Sequence, residues 1–224
     1  MEIKVVRKVL DVNDTIADQN RKRFGENGVF VLNLMSSPGS GKTTILEKTL
    51  SRLAPDTRCA VIVGDICTSN DARRLSQTGV PVVQVNTDEF GGDCHLAAHV
   101  IGKAAENFDL KAIDLLIVEN IGNLVCPAEF DIGEDARVVV LSVTEGEDKP
   151  LKYPLMFRVC DAALLNKTDL LPYLPYDRES ALRNLQQIHA EMPVFEISAL
   201  QVRGFEPWIA WIKERMDRKR QPVK

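Results

Sequence analysis

Residues 29–46 read VFVLNLMSSPGSGKTTIL, and this stretch decides the fold. Val29 through Met35 is an apolar run with the length and β-branched content of a buried strand. It passes into Ser36-Ser37-Pro38-Gly39-Ser40-Gly41-Lys42-Thr43-Thr44, and a helical pattern then runs from about Lys42 to Leu53. Strand, glycine-rich turn and helix in this order make a phosphate-binding P-loop. The glycines let successive backbone N–H groups turn inward toward phosphate oxygens, and the helix N-terminus adds partial positive charge. The expected ligands are Pro38, Gly39, Ser40, Gly41, Lys42, Thr43 and Thr44, with Lys42 on the β- and γ-phosphates and the Thr43 hydroxyl on Mg²⁺. One position departs from G-x-x-x-x-G-K-[ST]: Ser36 stands where the first glycine belongs.

Outward from the P-loop, apolar runs alternate with helical patterns. Strands are expected at Cys59–Val63, Val80–Val85, Leu115–Val118, Arg137–Val143, Ala162–Leu165 and Pro193–Ile197. Helices are expected from Cys94-His95 to about Asn107, from Glu179 to Glu191 and from Gly204 to Arg218. The alternation predicts an α/β P-loop NTPase, its mostly parallel central sheet of about seven strands flanked by helices on both faces. Residues 1–27 read as a helical extension across the domain edge, capped near Asp11 or Asn13; residues 28–218 as the P-loop domain; residues 219–224 as a solvated basic tail.

Composition narrows the class. The 224 residues carry a formal net charge of −4 and 45% hydrophobic residues, enough for a sizeable core and unsuited to nucleic acid as the main partner. No apolar run reaches membrane-spanning length and the charged N-terminus is not a signal peptide, so a cytoplasmic protein acting away from membranes is expected. Five scattered cysteines fit reduced thiols rather than a disulfide framework.

The base is read from Asn166-Lys167-Thr168-Asp169, which follows a strand and matches N-K-x-D. The Asp169 carboxylate accepts from N1–H and N2–H₂ of guanine, a pair that adenine lacks. Asn166 is expected on the base edge and the Lys167 stem over the ring. Ser198-Ala199-Leu200 resembles the loop that backs guanine through backbone N–H groups. GTP and GDP are therefore the expected nucleotides. Asp65 and Asp71 lie just past the second strand, where Mg²⁺ or an attacking water is held. Glu119 ends the fourth strand in the place of an acidic Mg²⁺ neighbour, and the Gly122 N–H is expected near the γ-phosphate.

Cys94, His95 and Cys126 form a second constellation, with His99 as a possible fourth member. Thiolate and imidazole suit Zn²⁺ or Ni²⁺. Cys94-His95 is expected to open a helix beside Gly91-Gly92, where a thiol pKa falls. Cys126 lies seven residues after Glu119, on the segment placed to sense the γ-phosphate.

SSPGSGKTT, GDICTSNDARR, the Cys94-His95 pair, ENIGNLVCPAEFDIGE, TEGEDKPLKYP, NKTDL and the SAL loop together resemble the HypB family. These are nickel-incorporation GTPases of [NiFe]-hydrogenase maturation, in the SIMIBI class of P-loop GTPases. The resemblance implies GTP-dependent dimerisation and an interfacial metal site built from Cys94, His95 and Cys126. It also implies nickel delivery to the hydrogenase large-subunit precursor with the metallochaperone HypA. Residues 1–27 have neither the Cys-rich nor the His-rich nickel segment found in some members. Three rivals stand beside this reading. A urease accessory GTPase is expected to place its ligands in one C-P-H segment, whereas Ala128 follows Cys126-Pro127 here. A small-molecule kinase has no use for NKTD. A metal-buffering protein with vestigial GTPase activity differs in turnover.

Overall fold

The structure is a computed structural model that describes residues 5–65, 70–87 and 94–220, with side chains from residue 10. Ile66 to Ser69, Gly91-Gly92 and residues 221–224 of the tail lie outside the described residues.

Seven strands form one sheet in the order β3-β2-β4-β1-β5-β6-β7. They are β1 (Phe30–Ser36), β2 (Cys59–Asp65), β3 (Val82–Asn86), β4 (Leu115–Gly122), β5 (Ala136–Ser142), β6 (Ala162–Asn166) and β7 (Val194–Glu196). All neighbours are parallel. A parallel sheet must be covered on both faces, which is why its central strands are apolar throughout rather than alternating.

Side-chain alternation sorts those strands between two layers. Leu32, Leu34, Val61, Ile117 and Val138 pack in one core with Leu46 and Leu50 of α2 (Lys42–Leu53) and Trp208 and Ile212 of α9 (Phe205–Arg220). Val31, Ala60, Ile62, Leu116 and Val118 face the other way. They meet Phe24 of α1 (Val5–Glu26) and Ile101 of α4 (Ala98–Ala104). Farther along that face, Met35, Val139 and Leu141 pack with Met156 and Phe157 of α7 (Pro154–Val159) and Leu185 of α8 (Arg178–Ile188). The remaining α-helices among the described residues are short: α3 (Asn70–Ser76), α5 (Cys126–Glu129) and α6 (Lys149–Lys152).

Four expectations change. The N-terminal helix starts upstream of Asp11 and Asn13, so neither caps it. Instead Asn13 and Asn20 are buried and grip the chain opposite: Asn13 Nδ2 donates to Asp131 O at 2.8 Å and Asn20 Nδ2 to Ala98 O at 2.7 Å. The helix expected from Cys94 begins only at Ala98, leaving Cys94 and His95 on the preceding bend. The fourth strand continues through Glu119 to Gly122. Lys219 and Arg220 belong to α9 rather than to a solvated tail. The Lys219 ammonium donates to Val29 O at 2.7 Å and to Asp135 Oδ2 at 2.6 Å, which holds the helix end against the start of β1.

Candidate functional site

The P-loop leaves β1 at the C-terminal edge of the sheet, where the strand order reverses and a crevice opens. A cavity of about 380 Å³ lies there, lined by Pro38, Gly39, Gly41, Lys42, Thr43, Thr44, Asp65, Asp71, Glu119 and Gly122. Ser40 excepted, the expected phosphate, Mg²⁺ and water-holding residues thus surround one space. At the position of the Ser36 departure, Lys42 Nζ donates to Ser36 Oγ at 2.7 Å.

Charge is suppressed in this crevice. Burial pushes the Glu119 carboxyl up to about 7, against the Thr43 hydrogen bond and the Lys42 charge. Burial likewise lowers Lys42, against Glu119 and the other carboxylates nearby. Thr43 Oγ1 donates to Glu119 Oε1 at 2.7 Å, and Glu119 Oε2 is buried with no hydrogen-bond partner among the described residues. A hydroxyl and an orphaned carboxylate oxygen side by side fit Mg²⁺, a hard cation that takes oxygen ligands. The triphosphate charge would likewise pair with the buried ammonium.

Gly122 and Gly41 are dictated by close approach. A Cβ on Gly122 would lie 2.9 Å from Pro38 Cα, and one on Gly41, at φ 99°, would lie 2.5 Å from Asn166 Nδ2. The latter contact reflects a structural part played by Asn166 beside the one expected on the base. Its Nδ2 donates to Ser40 O at 2.8 Å and its Oδ1 accepts from Ala199 N at 3.1 Å. The side chain expected on the base edge therefore bolts the P-loop to the base loop. Lys167, in the left-handed conformation at φ 62°, donates through Nζ to Gly39 O at 2.8 Å, so its stem crosses from one loop to the other. Asp169 Oδ1 accepts from Ser198 Oγ at 2.5 Å, which orients the carboxylate. Ser198 and Ala199 are buried and Leu200 is exposed.

Two further participants stand in quoted motifs, but the sequence assigns them no role. Arg74 donates to both carboxylate oxygens of Glu47 at 3.0 Å and to Thr44 Oγ1 at 2.9 Å, tying α3 to the P-loop helix. Ser37 Oγ donates to Glu145 Oε2 at 2.7 Å, tying the P-loop to the end of β5. Arg74 stands in a charged stretch typical of a solvated helix face, and only the fold reveals its partners.

The second constellation assembles close by. One ligand atom each from Cys94, His95 and Cys126 lies within 4.8 Å of the others, and His99, exposed on the first turn of α4, is outside the group. The sulfurs of Cys94 and Cys126 are 2.8 Å apart. Two sulfurs bound to one ion at tetrahedral angles stand about 3.7 Å apart, so an ion would have to spread them by about 1 Å. His95 packs against Phe130 at a ring-centroid distance of 3.8 Å. The Cys94 thiol does not have the lowered pKa expected at a helix start. The adjoining Cys126 sulfur holds it above its usual value. Two soft thiols and an imidazole fit Zn²⁺ or Ni²⁺, and they number one fewer than a closed structural zinc site requires. Cys59 and Cys160 are buried, and burial pushes the Cys59 thiol up to about 12.

Residues 30–196 match the family model described as CobW/HypB/UreG, nucleotide-binding domain. A hydrogenase maturation factor HypB from Azotobacter chroococcum mcd 1 is 50% identical over 213 residues, which cover 95% of this chain and 69% of that protein. The chain belongs to the HypB family of hydrogenase maturation factors. The HypB of Escherichia coli K12 is 50% identical over 211 residues, covering 94% of this chain and 72% of that protein. Among solved structures, HypB from Helicobacter pylori in complex with nickel superposes with a TM-score of 0.86 at 37% identity, covering 95% of this chain and 98% of that one. The P-loop fold and the sheet read from the sequence are those of HypB structures. No helix among the described residues is long and apolar enough to cross a membrane.

Proposed function

We propose that this HypB-family chain is a GTP-hydrolysing metallochaperone that couples GTP binding and hydrolysis to nickel delivery during [NiFe]-hydrogenase maturation. The observation that carries the reading is the segment from Glu119 to Cys126. Its first residue lines the phosphate crevice, and its last is one of the clustered thiols. One stretch of backbone thus serves both sites.

GTP enters with its γ-phosphate over Lys42, whose ammonium leaves Ser36 Oγ for the β- and γ-oxygens. Asp169 accepts the guanine N1–H and N2–H₂, and Ser198-Ala199-Leu200 closes the base side. Thr43, Asp65 and Glu119 would hold Mg²⁺, which supplies Lewis-acid polarisation of the phosphate oxygens when bound. Water attacks the γ-phosphorus as its bond to the β–γ bridging oxygen breaks, and GDP leaves with that electron pair. Asp71 orients the water and takes its proton; Gly122 N–H points to the γ-oxygens. Catalysis here is positioning and charge neutralisation, so unassisted turnover is expected to be slow, ~10⁻⁴ to 10⁻² s⁻¹.

Nickel is the cargo. Cys94, His95 and Cys126 hold it, with Zn²⁺ able to take the same ligands. Three ligands per chain favour a site completed across the two-fold axis of a GTP-favoured homodimer and labile enough to release its ion. HypA and the hydrogenase large-subunit precursor are the proposed partners.

Replacing Asp169 tests the nucleotide assignment. An asparagine at this position presents a donor where guanine also has one, and suits the C2 carbonyl of xanthine. Asp169→Asn should therefore lose GTP turnover and gain XTP turnover. Equal turnover of GTP and ATP by the unaltered chain would overturn the assignment.

A further inference from the structure

The nucleotide chemistry proposed above assigns no role to either asparagine side chain of Glu119-Asn120-Ile121-Gly122-Asn123, although Asn120 also lines the crevice. The register of β4 against β1 slips here: Leu34 pairs with Glu119, but Ser36 pairs with Gly122, so β4 carries one extra residue. A bulge of this kind re-aims side chains. Glu119 stays on the face of the P-loop helix, bonded to Thr43. Asn120, 1% exposed, enters the opposite layer. Its Oδ1 accepts from its neighbour Ile121 N at 2.9 Å and from Leu96 N at 3.2 Å, while its Nδ2 donates to the buried Asn33 Oδ1 at 3.2 Å. Three residues on, Asn123 Nδ2 donates to Cys94 O at 3.3 Å and Asn123 Oδ1 accepts from Val125 N at 2.8 Å. The two side chains therefore hold the backbone on both sides of His95, and Asn123 also holds the residue before Cys126.

We infer that Asn120 and Asn123 are positioning residues for the nickel ligands. They clamp the bend that carries Cys94 and His95 against the segment that carries Cys126. The ligands come from two parts of the chain 32 residues apart, joined at this point by no covalent link. Without the clamp, nickel must gather the donors itself, and the ordering cost is taken from its affinity. The clamp also anchors the metal bend to the strand end that bears Glu119. The inference rests on the ligand set proposed above. A purely structural role, burial of an amide in a bulge, predicts lower stability without a selective loss of metal.

The test uses the full chain bound to GDP. Nickel affinity is read by competition with a chromophoric chelator and the ligand field by the thiolate-to-nickel charge-transfer band. GDP affinity and melting temperature are followed in the same samples. Asn120→Ala and Asn123→Ala should each weaken nickel binding about 10- to 100-fold and shift the charge-transfer band, Asn123→Ala with GDP affinity unchanged. Cys126→Ala should lose the band. If Asn120→Ala fails to fold, Asn123→Ala, at a half-buried position, decides the matter alone. Unaltered nickel affinity and band in folded Asn123→Ala would overturn the clamp. Retention of nickel by Cys126→Ala would instead overturn the ligand set, and the clamp with it.

Discussion

Glu119 and Lys42 meet in a crevice that disfavours both their charges, and this makes the pH behaviour of the site predictable. With the Glu119 carboxyl raised to about 7, Mg²⁺ must displace its proton below that value. The Mg²⁺-dependent part of GDP affinity should be complete above pH 7 and fall by up to about tenfold per unit below it. Stability of the nucleotide-free chain runs the opposite way. A carboxyl whose folded pKa lies above its unfolded value of 4.5 costs nothing below 4.5, and costs more as pH rises to about 7. Glu119→Gln should therefore raise the melting temperature at pH 8, by the equivalent of at most about 3 kcal/mol, and remove the pH dependence of Mg²⁺-assisted GDP binding. Calorimetry and GDP titrations between pH 5.5 and 8 check both; a pH-independent Mg²⁺ effect would contradict the assignment of Glu119. Gly122→Ala probes the same crevice sterically. Its Cβ would meet Pro38 backbone at 2.9 Å, so the P-loop must give way, at about 1–3 kcal/mol by the scale of overpacked cores, read as weaker GDP binding. That Lys42 and Thr43 would line one crevice was legible in the sequence because P-loop chemistry demands fixed spacings. The bolt made by Asn166 and the resting place of Lys42 on Ser36 were not, since each depends on a partner loop that only the fold brings near.

Among the elements, strands and long helices could be read from apolar runs, while their ends could not. β4 outlasts its apolar run because its last residues face polar partners: Glu119 meets Thr43, and Asn120 meets Leu96 and Asn33. The bend at Cys94 stays out of α4 because Asn120 and Asn123 take up its backbone groups. α9 runs past the expected stop because Lys219 finds Asp135 and the Val29 carbonyl, a contact with no periodic signature. What holds α9 to the sheet is Trp208, fully buried, whose indole N–H donates to Thr49 Oγ1 of α2 at 3.0 Å. Trp208→Ala removes that bond and leaves a cavity beneath the P-loop helix. It should destabilise the fold by about 3–5 kcal/mol in chemical denaturation, with the larger effect on stability than on nucleotide choice. A loss below about 1 kcal/mol would mean that α9 is not a principal cover of this face.

At the scale of the molecule, the nucleotide crevice and the thiolate–imidazole cluster share β4 and the segment that follows it, and this sharing is the central claim. Gly122 is packed on Pro38 of the P-loop, and Cys126 lies only a few residues beyond it. A γ-phosphate that draws Gly122 inward must therefore alter the setting of Cys126, and with it any contact to a second copy. Equilibrium linkage makes the effect mutual: bound nickel changes GTP affinity by the factor that GTP changes nickel affinity. The measurement that tests this most directly is a nickel titration of the same preparation with GDP bound and with a non-hydrolysable GTP analogue bound, dimerisation being followed by light scattering. Nickel affinity is predicted to differ between the two states by about 5- to 150-fold, a coupling of about 1–3 kcal/mol. Identical nickel affinities and stoichiometries in the two states would contradict it and leave the cluster as a site indifferent to nucleotide.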